Sequence, residues 1–155
     1  MIAVIIIYLL AWLAIATAEI VASYLHMLPP AIESIRIALG CCAVAAIGGS
    51  LYCIRAVYLN KAVHKRWDAD WHIWYFLRPL ASCICGGASF LFLKAGLLVL
   101  ESNTQVGASE VGFYALAFVA GLNVDRFVAK IETVAQAVWG IEMSRSAKKA
   151  DDSDN

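Results

Sequence analysis

The chain has 155 residues, of which 62% are hydrophobic and 15% charged, with a mean hydropathy of +0.74 and equal numbers of acidic and basic side chains. A soluble domain is about a quarter charged, so this composition excludes an ordinary water-soluble fold and points to a polytopic membrane protein. The net charge of zero says nothing about nucleic acid, but no basic patch is large enough to suggest it, and no nucleic-acid partner is expected.

Crossing the hydrocarbon takes about 20 mainly apolar residues, and four runs predict spans at about 3–27, 36–58, 79–100 and 108–124. The first opens with Ile2 to Ala18, which carries no charge. Ala16-Thr17-Ala18 looks like a signal-peptidase site, but no basic segment precedes it and the apolar stretch continues through Ile20 to Leu28. An uncleaved span is expected, closed by Pro29-Pro30, which cannot continue a helix. Glu33 and Arg36 open the second span three residues apart, close enough to pair. Within it, Cys41, Ala45, Gly49 and Cys53 form a ridge of small residues at four-residue spacing. Ser82 to Gly86, with Cys83 to Gly87 beside it, repeats the pattern in the third span, and Ala117 to Gly121 in the fourth. Small residues allow the close backbone approach that drives helix association in lipid, so these positions are expected to pack the bundle or join copies of it.

Ahead of the third span, Trp67, Trp71, Trp74, Tyr75 and Phe76 lead into Arg78-Pro79. Trp and Tyr favour the headgroup level and Arg can snorkel there, so 67–77 reads as an interfacial helix or elbow. Pro79 would then sit near the first turn of the span. A rival reading makes the aromatics a cage for a cationic ligand. Beyond the fourth span, Val124, Phe127, Ile131, Val134, Val138 and Ile141 follow the alternating three- and four-residue steps of a coiled coil. Asp125, Arg126, Lys130, Glu132, Gln136 and Glu142 cover the other face with balanced signs. That balance favours protein contact over a lipid surface, where Lys and Arg dominate. β-branched residues at both core positions lean toward bundles above the dimer. The expected organisation is a transmembrane domain over 1–123, a cytoplasmic amphipathic helix over 124–144 and a disordered tail over 145–155.

Ten of the twelve Lys and Arg fall on one side if the loop 60–70 is cytoplasmic, leaving only Arg36 and Lys94 towards the other. The positive-inside rule then puts both termini in the cytoplasm of a bacterial inner membrane. Cys41, Cys42, Cys53, Cys83 and Cys85 all lie inside predicted spans and form no C-x-x-C or zinc spacing. They read as packing residues, with no disulfide framework.

Glu19 is the most informative polar residue, because an ionisable group inside a span is costly and often functional. Counted from the membrane ends, Lys94 lies at a similar depth, so a Glu19–Lys94 pair fixing helix register is one reading. A proton- or cation-binding carboxylate is the other. His64, Asp68, Asp70 and His72 match no established metal spacing, and no metal or cofactor is expected. The chain shows no G-x-S-x-G, Walker glycine loop, H-E-x-x-H or G-x-G-x-x-G, and no enzyme activity is expected.

Trp74-Tyr75-Phe76-Leu77-Arg78-Pro79 followed by Gly86-Gly87, and the run Ala117 to Phe127, resemble segments of small uncharacterised bacterial inner-membrane proteins. The likeness covers roughly the C-terminal half and implies topology alone. Four short spans and an acidic residue in the first are also similar to the small multidrug resistance transporters. The chain departs from that family in its long charged segments after the second and fourth spans.

The expected fold is all-α, a four-helix transmembrane bundle with a cytoplasmic C-terminal helix. The expected function is a non-enzymatic, oligomerising inner-membrane protein, pore-forming or the membrane subunit of a larger complex. Val124, Phe127, Ile131, Val134, Val138 and Ile141 would hold the oligomer. Cys41, Ala45, Gly49, Ser82, Gly86, Ala117 and Gly121 would pack the spans. Glu19, Lys94, Arg78 and Asn123 would line or brace the interior. The alternative is a small proton-coupled transporter of cationic compounds using Glu19.

Overall fold

The computed structural model describes residues 2–27, 29, 31–63, 65, 71–96 and 110–140. Among these residues every regular element is helical: α1 (Ile2–Tyr24), α2 (Arg36–Tyr58), α3 (His72–Lys94), α4 (Glu110–Leu122) and α5 (Val124–Trp139). A 3-10 turn, Glu33–Ile35, leads into α2, and a π-helical turn, Leu59–Val63, extends it. Helices are what lipid demands, since each satisfies its backbone polar groups internally.

Three helices are long and apolar enough to cross a membrane: α1, α2 with its π turn, and α3. At 1.5 Å per residue, the 23 residues of α1 or α3 span about 35 Å, against a hydrocarbon core of about 30 Å. The fourth predicted span is different. α4 has only 13 residues, about 20 Å, and the helix breaks at Asn123, so among the described residues the fourth candidate is α4 and α5 counted as one interrupted span.

Several helix ends differ from the sequence expectation. α1 stops at Tyr24, before Pro29, because His26 takes a left-handed conformation (φ 53). The amide of Met27 then closes on the Ala22 carbonyl at 2.9 Å. Gly96 (φ 71) ends α3 in the same way, a conformation that costs glycine no steric penalty. The loop expected at 60–70 begins as helix, since the π turn runs to Val63. α3 is continuous from His72, with Pro79 inside it, so no elbow separates residues 72–77 from the span. Trp67, His64, Asp68 and Asp70 lie outside the described residues, as do residues 97–109 and the expected tail.

Residues up to Val124 form one compact unit, with α2 at its centre, packed by α1, α3 and α4. Along α2, Cys41, Ala45, Gly49 and Cys53 are fully buried. A methyl group at Gly86 of α3 would strike the Cys41 carbonyl and Ala45, and one at Gly121 of α4 would strike the backbone of Ala45. Gly49 admits the Ser82 hydroxyl, and Gly48 faces the Phe118 carbonyl. Thus three helix backbones meet at one level of α2, around Ala45. The large apolar side chains point away: Val4, Ile7, Leu10 and Ile15 of α1, and Ile73, Leu77, Ile84 and Leu91 of α3, are exposed. This inside-out distribution suits a lipid solvent, where burying Leu gains little and close contact gains more.

The second unit starts at Asp125, and its described part is α5 with Gly140, whose positive φ of 66 terminates the helix. α5 carries Phe127, Ile131 and Val134 half-buried and Val138 exposed on one stripe, opposite Asp125, Arg126, Lys130 and Gln136. Ile141 lies outside the described residues.

Gly121→Ala is expected to destabilise the bundle by about 1–3 kcal/mol through overpacking against Ala45, read by unfolding in mixed micelles. Gly112→Ala, in the same helix with open space around it, should be neutral or stabilising by up to about 1 kcal/mol.

Candidate functional site

The buried stripe of α1 runs through Ile5, Leu9, Trp12, Ala16, Glu19 and Ser23, three or four residues apart and facing the bundle. Glu19 is therefore turned inward. Both of its carboxylate oxygens are buried and meet no hydrogen-bond donor among the described residues. One turn further on, Ser23 is 4% exposed and its hydroxyl is likewise unpartnered.

Ser23 opens into a cavity of about 70 Å³ lined also by Tyr24, Arg36, Gly40, Glu110 and Tyr114. One water needs roughly 10–15 Å³ on this scale, so the cavity has room for a few waters or a small ion. It is well below the ~300–1,000 Å³ of drug-sized sites. Arg36 and Glu110 join α2 to α4 across it with an ion pair of 2.6 Å, the arginine 18% and the glutamate 49% exposed. The pairing expected between Glu33 and Arg36 falls on a Glu33 side chain outside the described residues. Glu110, which Arg36 meets here, is 74 residues away in the chain.

The Glu19–Lys94 pair does not form. Lys94 is the exposed last residue of α3, and its ammonium lies 5.6 Å from the centre of the Phe90 ring. Counting depth along a span sets height but not direction, and α3 turns Lys94 outward. Its charge near a helix C-terminus complements the helix dipole.

Arg78 does not snorkel. It is 5% exposed, packed with its guanidinium carbon 4.9 Å from the Tyr52 ring centre and 5.4 Å from that of Trp74. Of the aromatics that could have caged a ligand, Trp74 instead holds the protein's own arginine, together with Tyr52 of α2. Nη2 also donates to the Leu122 carbonyl at 3.4 Å, while the fully buried Ser82 hydroxyl contacts the carbonyls of Gly121 (3.0 Å) and Arg78 (2.9 Å). The last carbonyls of a helix have no partner of their own, so α3 supplies the C-cap of α4. Asn123, expected in the interior, is exposed at the break that follows. Nearby, Tyr8 donates to the Phe76 carbonyl (2.9 Å) and packs at a tilt against its ring, centroids 4.8 Å apart, tying α1 to α3.

From the sequence, Cys42 and Cys83 are expected only to pack. The structure sets them within hydrogen-bonding reach across the α2–α3 seam, with Glu19 close enough to act electrostatically on both. No sequence spacing signals this juxtaposition. Among the described residues no group of three metal-ligating side chains converges.

Comparison of the chain with known protein families, curated proteins and solved structures gives no match in any of the three. Nothing in these comparisons bears on the resemblances drawn from the sequence.

Two outcomes test this description. Ser82→Ala should cost about 1 kcal/mol, the usual worth of one hydrogen bond, and Arg78→Met about 1.5–3 kcal/mol, that of a bond to a charged group. Hydrogen exchange at 119–124 should rise in both. Arg36→Gln should change stability by no more than about 1 kcal/mol, since half-exposed ion pairs contribute little. It should, however, open the cavity, so that a Ser23→Cys variant reacts faster with a water-soluble thiol reagent, the labelled site being located by mass.

Proposed function

We propose that the protein is a non-enzymatic, oligomerising multi-pass protein of the bacterial inner membrane, pore-forming or the membrane subunit of a larger complex. The observation that supports this most is the contrast between α2 and α5. The small-residue faces of α2, α3 and α4 are spent on contacts within one chain. Any conduit would then run between copies rather than through the centre of one. α5 still carries a stripe from Phe127 to Val138 that is half-buried or exposed, so contacts between copies are assigned to it. Placing the α5 side in the cytoplasm puts Arg55, Lys61, Lys65 and Arg78 on the positive-inside face, with Arg36 and Lys94 opposite.

Charged substitution of both Ile131 and Val138 is expected to reduce the assembly to single chains while leaving membrane insertion intact. Native mass spectrometry in mild detergent checks this, and an unchanged particle mass would overturn it.

A second reading, proton- or small-cation-coupled transport, is favoured by one observation. The unpartnered carboxylate of Glu19 lies one helical turn from the cavity that Ser23 lines. The cavity size suits a proton, water or a small ion rather than a bulky cationic compound. On this reading Glu19→Gln abolishes pH-driven uptake into vesicles without altering particle mass, whereas an oligomerisation role for α5 predicts the reverse pattern for the Ile131 and Val138 variants.

A further inference from the structure

The seam between α2 and α3 carries more sulfur than packing requires. Cys42 of α2 and Cys83 of α3 have their thiols within hydrogen-bonding distance. The Cys42 sulfur also lies against Gly87, where a methyl group would come within 3.2 Å of it. Cys83 in turn packs on Ala16, Ala43 and Ala46. A disulfide needs Cα atoms about 4.4–6.8 Å apart, a separation that ordinary helix packing seldom allows. Here the two backbones are in contact, because Gly86 lies directly on the Cys41 carbonyl. The other cysteines are placed differently: Cys41 and Cys53 are fully buried and Cys85 is 8% exposed, whereas Cys42 and Cys83 are each only partly buried.

The third group is Glu19. It follows Ala16 by three residues on the inward stripe of α1, and its neighbour Ile20 packs on the same cluster as Cys83. Its carboxylate oxygens meet no donor among the described residues, so nothing in the bundle competes for a proton offered to them. The thiols sit well inside helices long enough to span the hydrocarbon. Dissolved thiols and redox proteins cannot reach that depth, so an oxidant must come from the lipid phase.

We infer that Cys42 and Cys83 are an intramembrane dithiol that closes to a disulfide by reducing a lipid-soluble quinone, with Glu19 as the proton acceptor. Two S–H bonds break and one S–S bond forms. The two electrons and two protons released convert the quinone to its quinol, the first proton passing through the Glu19 carboxylate to a quinol oxygen. The thiolate is the reacting species in such exchanges, which is why a base beside the pair matters. This inference rests on the membrane placement of α1 to α3 and is independent of whether the chain forms an oligomer or a transporter.

The test uses the full chain, reduced and reconstituted in vesicles, mixed anaerobically with a short-chain benzoquinone. The expected result is one equivalent of quinol per chain and a chain lighter by two hydrogens. Peptide mapping should find Cys42 joined to Cys83 within one chain. Cys42→Ser and Cys83→Ser should each abolish both signals, and Cys85→Ala should not. Glu19→Gln should slow closure by about a hundredfold, in the range of a lost general base, with the same end point. Diamide, a reagent that oxidises any close dithiol, controls for folding. Closure with diamide but not with quinone would overturn the quinone chemistry. A link between other cysteines, between chains, or none with either oxidant would overturn the pairing, and an unchanged rate in Glu19→Gln would overturn the role of the carboxylate.

Discussion

Backbone contact around Ala45 of α2 is the constraint from which the rest of the unit up to Val124 follows. Gly86 and Gly121 reach this residue from two different helices, and each does so only because it lacks a Cβ. With no hydrophobic drive between helices in lipid, dispersion between closely apposed backbones and the polar contacts it permits must hold the bundle. The contact sets the rotation of α3 and α4 about their own axes. That rotation decides which side chains face inward, and so places Ser82 on Gly49 and the Gly121 carbonyl and Arg78 under the end of α4.

The capping of α4 by α3 is a consequence with structural weight. A short helix leaves its last carbonyls without partners of their own, and each such group that is buried unsatisfied costs on the order of 1–3 kcal/mol. Ser82 and Arg78 supply the missing donors, and Arg78 is itself steadied by the faces of Tyr52 and Trp74. A guanidinium spreads its charge and stacks on aromatics where an ammonium would not. The charge also lies at the negative end of the α4 dipole, which favours it there.

Polarity elsewhere in the unit is distributed unevenly. Near the Arg78 end, Ser82 and the guanidinium Nη2 meet the carbonyls that close α4, whereas along α1 the Glu19 carboxylate and the Ser23 hydroxyl find no donor or acceptor among the described residues. Burying such groups without a partner is costly, and a bundle held only by packing would do without them. The cavity beside Ser23 and the thiols beside Glu19 are the two surroundings that give these groups something to act on.

Much of the architecture was legible in the residues themselves. Apolar runs of about 20 residues must be helices in lipid because no other local structure hides its own backbone. The four-residue spacing of Cys41, Ala45, Gly49 and Cys53 marks a single helix face whatever lies opposite. These are local properties of one segment, and Glu19 stood out for the same reason, as the only charge in an otherwise apolar run. What lay beyond the sequence was azimuth. Arg78 finds Leu122 from 44 residues away, Arg36 finds Glu110 from 74 residues away, and Cys42 meets Cys83. Lys94 matches Glu19 in counted depth yet faces away from it. Composition and periodicity determined the helices and their order; which polar groups meet was decided only when the glycines let α3 and α4 settle on α2, because close backbone contact sets each helix's rotation, and no count along one chain segment contains it.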